Sequence, residues 1–249
     1  MIVVLCIVAF LAGFVDSVVG GGGLIQLPAL LLALPAVPIP VLFGTNKLSS
    51  IAGTLVAALQ FARKIKIRWP AVLPGTLSAF LFSMLGARAV TLLDAHMLRP
   101  IIFLLLVLVA IYTFCHKEFG AQHAPRLARS AEIRWSLGLG MLLGFYDGFF
   151  GPGTGSFLLL GFVAIFGYDF LNASASAKTI NLATNLAALI YFASSSNILY
   201  AVAIPMAVCN VLGSIVGTRL AILKGNSFVR RLLLCVVLAL LFRLGLDLF

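Results

Sequence analysis

Charge is what this sequence has least of. Of its 249 residues only 10% are charged, seven acidic and seventeen basic, against 62% hydrophobic. A water-soluble domain carries about 25% charged residues, so a soluble globular fold is excluded. Histidine is scarce too. His96, His116 and His123 fall between apolar segments, with no carboxylate or cysteine set beside them for chemistry. No HExxH, GxSxG or nucleotide-binding loop is present, which argues against metalloprotease, serine-hydrolase and ATP-driven classes. Cys6, Cys115, Cys209 and Cys235 lie in or beside apolar segments without metal spacing and read as small packing residues. Period-two alternation is missing as well, which rules out a β-barrel. No cofactor and no metal is expected.

What is present is apolar sequence in long runs, several near or above the roughly 18 residues that mark a membrane span. The chain reads as an all-α polytopic membrane protein. Its net charge of +10 sits in short loops between apolar segments, the pattern of positive cytoplasmic loops, so nucleic acid is not the expected partner; the lipid bilayer is. The first apolar run lacks a basic leader and a cleavage site, so a removed signal peptide is not expected.

The chain also repeats itself. Asp16 in "AGFVDSVVGGGG" matches Asp147 in "LGFYDGFFGPGTG", an offset of 147 − 16 = 131. The same offset carries Gly13 onto Gly144, Gly20 onto Gly151, Lys47 onto Lys178, Pro74 onto Pro205, "SMLGAR" onto "SIVGTR" and Arg99 onto Arg230. So many matches in one register mean duplication. Residues 1–115 form the first repeat and 135–249 the second, joined by a basic linker at 116–134. Each repeat shows five apolar segments, near 2–17, 24–34, 46–62, 70–92 and 98–115, then 135–149, 155–167, 177–192, 199–221 and 229–248.

Loop charge orients the repeats. The loop "RKIKIR" after the third segment of repeat one is matched by the uncharged "SSSNIL" in repeat two. The loop after the fourth segment partly reverses this, with Arg219, Lys224, Arg230 and Arg231 against Arg88, Asp94 and Arg99. Because positive loops stay cytoplasmic, the repeats are expected to have inverted topology. Each would hold three spanning helices and one broken or re-entrant hairpin. The linker then lies in the cytoplasm and both termini outside it.

The hairpins are expected at the glycine clusters. The first two segments of repeat two are each about 15 residues or fewer, near 22 Å of helix, too short for a hydrocarbon core of about 30 Å. Gly20, Gly21, Gly22 and Gly23, with Gly151, Gly153 and Gly155, permit sharp turns at membrane depth. Such turns are tolerated only against protein or a polar cavity. The half-helix that follows offers unpaired N–H groups and a partial positive charge to an anion. The other reading of membrane glycines is close helix packing, and it is the one expected for Gly13, Gly86, Gly138, Gly140, Gly213 and Gly217.

Lys47 and Lys178, in "TNKLSS" and "SAKTIN", open the third segments. They are either cationic partners for an anionic substrate, helped by Thr45, Asn46, Thr179, Asn181 and Asn185, or structural lysines that snorkel or pair with Asp16 or Asp147. The two aspartates are either caps on the half-helices or protonatable carboxylates that couple transport to protons. Trp69 and Trp135, at segment starts, fit an aromatic belt.

The stretches "GFVDSVVGGGGLIQLPAL", "GTNKLSSIAGTLVAAL", "LGAR" and "GFYDGFFGPGTGSFLL" resemble the TauE/SafE sulfite-exporter family, also called the toluene-sulfonate uptake permeases, and the resemblance spans nearly the whole chain. It implies a duplicated integral membrane protein that moves small sulfur-containing anions such as sulfite or sulfonates, and it carries a role to Asp16, Gly20 to Gly23, Asn46, Lys47, Asp147, Gly151 to Gly155 and Lys178. The second repeat departs from the first: Ala177 stands where the offset places Asn46, and Pro152 and Thr154 interrupt the glycines. The expected protein is a secondary transporter of the bacterial inner membrane, an exporter by resemblance, working by alternating access around a midplane anion site. A homodimer is left open, and an anion channel, an intramembrane sensor and a lipid-modifying enzyme are the alternatives.

Overall fold

Two glycine-rich breaks divide this chain's helices into full-length and half-length pieces. The computed structural model describes residues 1–93, 124–125 and 127–248, with side chains of the last helix to residue 232 except 230. Every regular element among them is a helix. Helix α1 (Ile2–Val19) stops at Gly20, whose φ of 80° lies in the left-handed region that glycine enters without strain. Helix α2 (Gly22–Ala33) restarts at once and is 12 residues long, about 18 Å. Helix α3 (Ile39–Lys64) takes Pro40 in its first turn, where no N–H is needed. Helix α4 (Trp69–Leu92) follows a four-residue loop.

The second half repeats this order. Helix α5 (Arg129–Phe149) gives way to the 11-residue α6 (Thr154–Ala164), then α7 (Phe170–Ser194) and the 49-residue stretch α8 (Tyr200–Leu248). Gly225, at φ 65° and ψ −159°, interrupts α8. The expected segment 98–115, most of the linker, and Arg99, His96, His116, His123 and Cys115 lie outside the described residues, as do the side chains of Arg230 and Cys235.

Three element boundaries differ from the sequence reading. Helix α5 begins at Arg129 rather than 135, so the end of the expected linker is helical. Glu132 favours that first turn by its charge and is buried there, bridged by Arg68 at 3.1 Å. Helix α7 begins at Phe170 rather than 177, because the Asp169 carboxylate accepts the Asn172 N–H at 2.8 Å and caps it. Helix α3 begins at Ile39 rather than 46. Both lysines therefore lie two turns inside their helices at the same depth, 47 − 39 = 178 − 170 = 8 residues from the first position.

Packing is pairwise and runs across the two halves. α4 packs on α5 and α7, while α8 packs on α1 and α3. Small residues bring the backbones together: Gly140 meets Gly75, Gly144 meets Ala79 and Gly148 meets Ser83. These pairs advance together, so α4 and α5 run in the same direction. α1 and α8 do likewise, with Gly213 against Phe10 and Gly217 against Phe14. α3 runs with α8, Gly44 lying beside Asn197 and Gly53 beside Asn210. The start of α3 in turn meets the end of α7, Gly44 against Phe192, so those two helices run in opposite directions.

Among the described residues, three helical stretches are long and apolar enough to cross a membrane: Ile2–Val19, Trp69–Leu92 and Tyr200–Val229, with mean hydropathies of 2.7, 1.4 and 1.8. Their outward faces carry exposed Ile7, Leu11, Leu77, Leu81, Leu85, Ile204, Val208 and Leu212. In water such a surface would drive aggregation; in lipid it is the solvated face. Trp69 and Trp135 are half exposed at one end of the packed pair α4 and α5, as a belt residue requires.

Candidate functional site

The polar residues of this chain converge where the two breaks meet. The tip between α1 and α2 touches the tip between α5 and α6. The Ser156 N–H donates to the Gly20 carbonyl at 3.2 Å, and the Ser156 hydroxyl donates to the Val19 carbonyl at 2.8 Å. Ser174 on α7 donates to the Val18 carbonyl at 2.9 Å. The last carbonyls of α1, which have no partner within the helix, are thus satisfied by the other half of the chain. A methyl group added to Gly20 would fall on the Gly155 backbone, so the contact admits glycine alone.

Beside the tips stand two ion pairs. Lys47 Nζ lies 2.6 Å from Asp147 Oδ2, and Lys178 Nζ lies 2.6 Å from Asp16 Oδ2. Each joins the third helix of one half to the first helix of the other, and the offset that maps Lys47 onto Lys178 also maps Asp16 onto Asp147. The lysine side chains are 5% and 3% exposed. That excludes snorkelling to the interface and selects the paired state, since an unpaired buried cation would be far costlier. Thr54 adds a hydroxyl to the Asp16 carboxylate at 3.3 Å.

The aspartates are not helix caps. Neither α2 nor α6 receives a side-chain cap, because both carboxylates are drawn to the lysines instead. The first-turn amides of both half-helices therefore stay without side-chain partners, as helix starts leave them.

A cavity of about 20 Å³ lies among these groups, bordered by Asp16, Asp147, Lys47, Asn46, Asn181 and Asn185, with Gly20, Gly23, Gly151, Gly155 and Ser50 completing the wall. That is room for about one water molecule. Asn46 Oδ1 is buried with no hydrogen-bond partner among the described residues. Asn185 donates to Asn181 Oδ1 at 3.4 Å.

Not every residue singled out in the sequence reaches the cavity. The Thr45 hydroxyl is fully committed, donating to the Val41 carbonyl at 2.7 Å and accepting the Leu199 N–H at 3.0 Å; it holds the start of α8. Thr179 donates to the Ala175 carbonyl on its own helix at 3.1 Å. Gly21, Gly22 and Gly153 shape the turns behind the wall. Lys178 acts through Asp16 rather than as wall. Ser50 and Thr54 were missed, although the repeat marks them: the offset places Ser50 on Asn181 and Thr54 on Asn185.

Chemically, the arrangement combines two cations, two carboxylates, amide donors and the positive ends of two half-helices in a site shielded from solvent. It holds no nucleophile–base pair, and among the described residues no group of three metal-ligating side chains. Its charges balance, so a net negative solute can enter only if a carboxylate yields its lysine or takes a proton.

Comparison with known proteins agrees with this picture. A family model described as "Sulfite exporter TauE/SafE" matches residues 5–244. The chain is 37% identical over 243 residues to "Probable membrane transporter protein ORF9" of Sinorhizobium sp, covering 98% of this chain and 92% of that one. It is 34% identical to a "Probable membrane transporter protein" of Haemophilus influenzae over 92% of this chain and 89% of that one. It is 35% identical to "Probable membrane transporter protein YfcA" of Escherichia coli K12 over 94% and 85%. No solved structure matches the chain.

Proposed function

This chain belongs to the sulfite exporter TauE/SafE family of membrane transporters, and from that premise we propose that it carries small sulfur-containing anions, such as sulfite or sulfonates, out across the bacterial inner membrane by alternating access. The observation that carries the proposal is the reciprocal pair of buried ion pairs, Lys47–Asp147 and Lys178–Asp16, around a cavity too small for any such anion. A buried, charge-paired site too small for its solute fits a carrier between its open states. A channel would need a continuous polar path.

The two halves act as inverted repeats, residues 1–115 and 135–249. The direction of the helices supports this: α3 opposes α7, while α4 shares its direction with α5, and α1 with α8. The basic loop at Arg63 to Arg68 and the linker then face the cytoplasm, with both termini outside.

Protonation of Asp16 or Asp147 frees a lysine for the anion. Lys47 or Lys178 takes the charge, Asn46, Asn181 and Asn185 donate hydrogen bonds, and the first-turn amides of α2 and α6, at Gly22, Gly23 and Gly155, face the remaining oxygens. A divalent anion moving with one proton leaves as a net single negative charge. The inside-negative potential favours its exit by about 2.3 kcal/mol per 100 mV.

The test is flux in proteoliposomes containing the purified protein, comparing sulfite, sulfoacetate and taurine under imposed potential and pH gradients. Anion flux that follows the potential and is accompanied by proton movement supports the proposal, and Lys47→Ala should abolish it. Flux of none of the three, or flux indifferent to both Lys47→Ala and Asp147→Asn, would falsify the site.

A further inference from the structure

Away from the central site, positive charge gathers where α3 ends against α8. A cavity of about 430 Å³ there is lined by Gln60, Arg63, Lys64, Arg219, Ile222 and Leu223. None of its three cations has an ion-pair partner among the described residues. Gln60 Oε1 is buried and has no hydrogen-bond partner among them either. These features are those of a binding site, and we infer that this groove seats the headgroup of an anionic phospholipid.

The case for a lipid rests on what leads into the cavity. On α3 the exposed Leu55 and Leu59 stand one turn apart, and Arg63 follows one turn later. On α8 the exposed Leu212 and Val216 precede Arg219 and Leu223 at the same helical spacing. The helices run side by side in one direction, with Gly53 level with Asn210. Two apolar stripes therefore descend together to one cationic ledge. That is the outline of an amphiphile with a negative head. A small soluble anion would gain nothing from the leucine walls, whereas acyl chains lie against them. The volume exceeds that of a simple oxyanion and falls in the range of small-molecule sites, about 300–1,000 Å³.

Among the described residues the cluster has no counterpart in the other half: the repeat offset maps Arg63 and Lys64 onto Ser194 and Ser195, and leaves Arg88 as the equivalent of Arg219. Positive loops mark the cytoplasmic side, and the leaflet there is the one rich in anionic lipid. Phosphatidylglycerol brings a full negative charge to the three cations, whereas the choline of phosphatidylcholine cancels its phosphate. Phosphatidylglycerol is accordingly the preferred occupant. Because α3 and α8 come from different halves, a lipid gripping both ties the halves together at that end. The binding itself does not depend on which solute is carried.

The experiment uses the full chain purified in neutral detergent. Its thermal unfolding midpoint is followed on titration with phosphatidylglycerol, with phosphatidylcholine and with soluble glycerol 3-phosphate. Phosphatidylglycerol should raise the midpoint by several degrees and the other two should not. The triple variant Arg63→Gln, Lys64→Gln, Arg219→Gln should lose at least half of that rise, while Arg88→Gln keeps it. If the triple variant does not fold, native mass spectrometry of Arg219→Gln should show at least a twofold drop in retained phosphatidylglycerol. An equal rise with phosphatidylcholine, the same rise with glycerol 3-phosphate, or undiminished binding in these variants would each overturn the inference.

Discussion

At the scale of single residues, the chain's most consequential choice is to bury two lysines and pair each with a distant aspartate. Removing one member of a buried pair leaves a charge with no compensation, which costs about 3–5 kcal/mol. Lys47→Ala and Asp147→Leu should each lower stability by that order in thermal unfolding of the purified protein. The double variant should recover most of the loss, because an apolar replacement of a whole pair is close to neutral, yet it should not transport. Recovery of flux in the double variant would contradict a role for these charges. That Lys47 and Lys178 are equivalent was readable from the repeat, but their depth was not, since both were expected to open their segments and instead lie two turns inside; nor were their partners, for the bonds span 100 and 162 positions and either aspartate was an available mate. A second residue-level prediction concerns Tyr168, in the loop before α7. Burial, and then the nearby Glu132, push its hydroxyl up to about 12, with Arg68 pulling the other way. A tyrosine whose folded value exceeds its ordinary value near 10 leaves stability independent of pH below that point, where both states hold it neutral. Its neutral form holds the fold increasingly less well as pH climbs from about 10 to 12, since the unfolded chain ionises first. Tyr168→Phe should flatten stability across that alkaline window and leave neutral pH behaviour unchanged.

At the scale of elements, the short second helix of each half is what the sequence disclosed most directly, whereas the first segment of repeat two, expected to be as short, is a helix of 21 residues. Runs too short to cross the bilayer, bounded by glycines, can be recognised without coordinates. The starts of α1, α4 and α8 follow from apolar content to within a residue, but those of α3, α5 and α7 do not, because their first turns lie before the expected apolar segment. Polar first turns such as "FLNASAS" and "RSAEIR" are helical here through a cap at Asp169 and a bridge at Glu132, and neither device raises hydropathy. The contact between the two tips gives a paired prediction. Gly155→Ala puts a methyl group on the Gly20 backbone and should cost about 1–3 kcal/mol, as overpacking does. Gly138→Ala, where an added carbon meets nothing within 4 Å, should instead stabilise α5 by about 0.5–1 kcal/mol. Chemical or thermal denaturation of the two variants reads the difference directly, and equal effects would mean that the tips are not in contact.

At the scale of the whole molecule, helical membrane character followed from composition alone, and the duplication from one constant offset. Orientation rests on asymmetry of loop charge, and it makes a prediction of its own. In a cysteine-depleted background, Lys64→Cys should react with a membrane-impermeant thiol reagent only from the cytoplasmic side. Ser195→Cys, its repeat equivalent, should react only from the opposite side. Labelling of both from one side would mean that the halves are not inverted. The small size of the cavity was not legible in any residue pattern, because it depends on four side chains from two distant parts of the chain arriving together.

The ion pairs have one more consequence. Each half contains both an acid and a base, yet neither finds its counter-charge within its own half; Asp16 reaches for Lys178 and Lys47 for Asp147. A half made alone would carry two bare charges into lipid and invite degradation. Two separate polypeptides, severed between 116 and 128 and synthesised in the same cell, carry complementary deficits and so have a reason to find each other. The covalent link would then be a convenience of synthesis, and mutual neutralisation the bond that makes one protein of two.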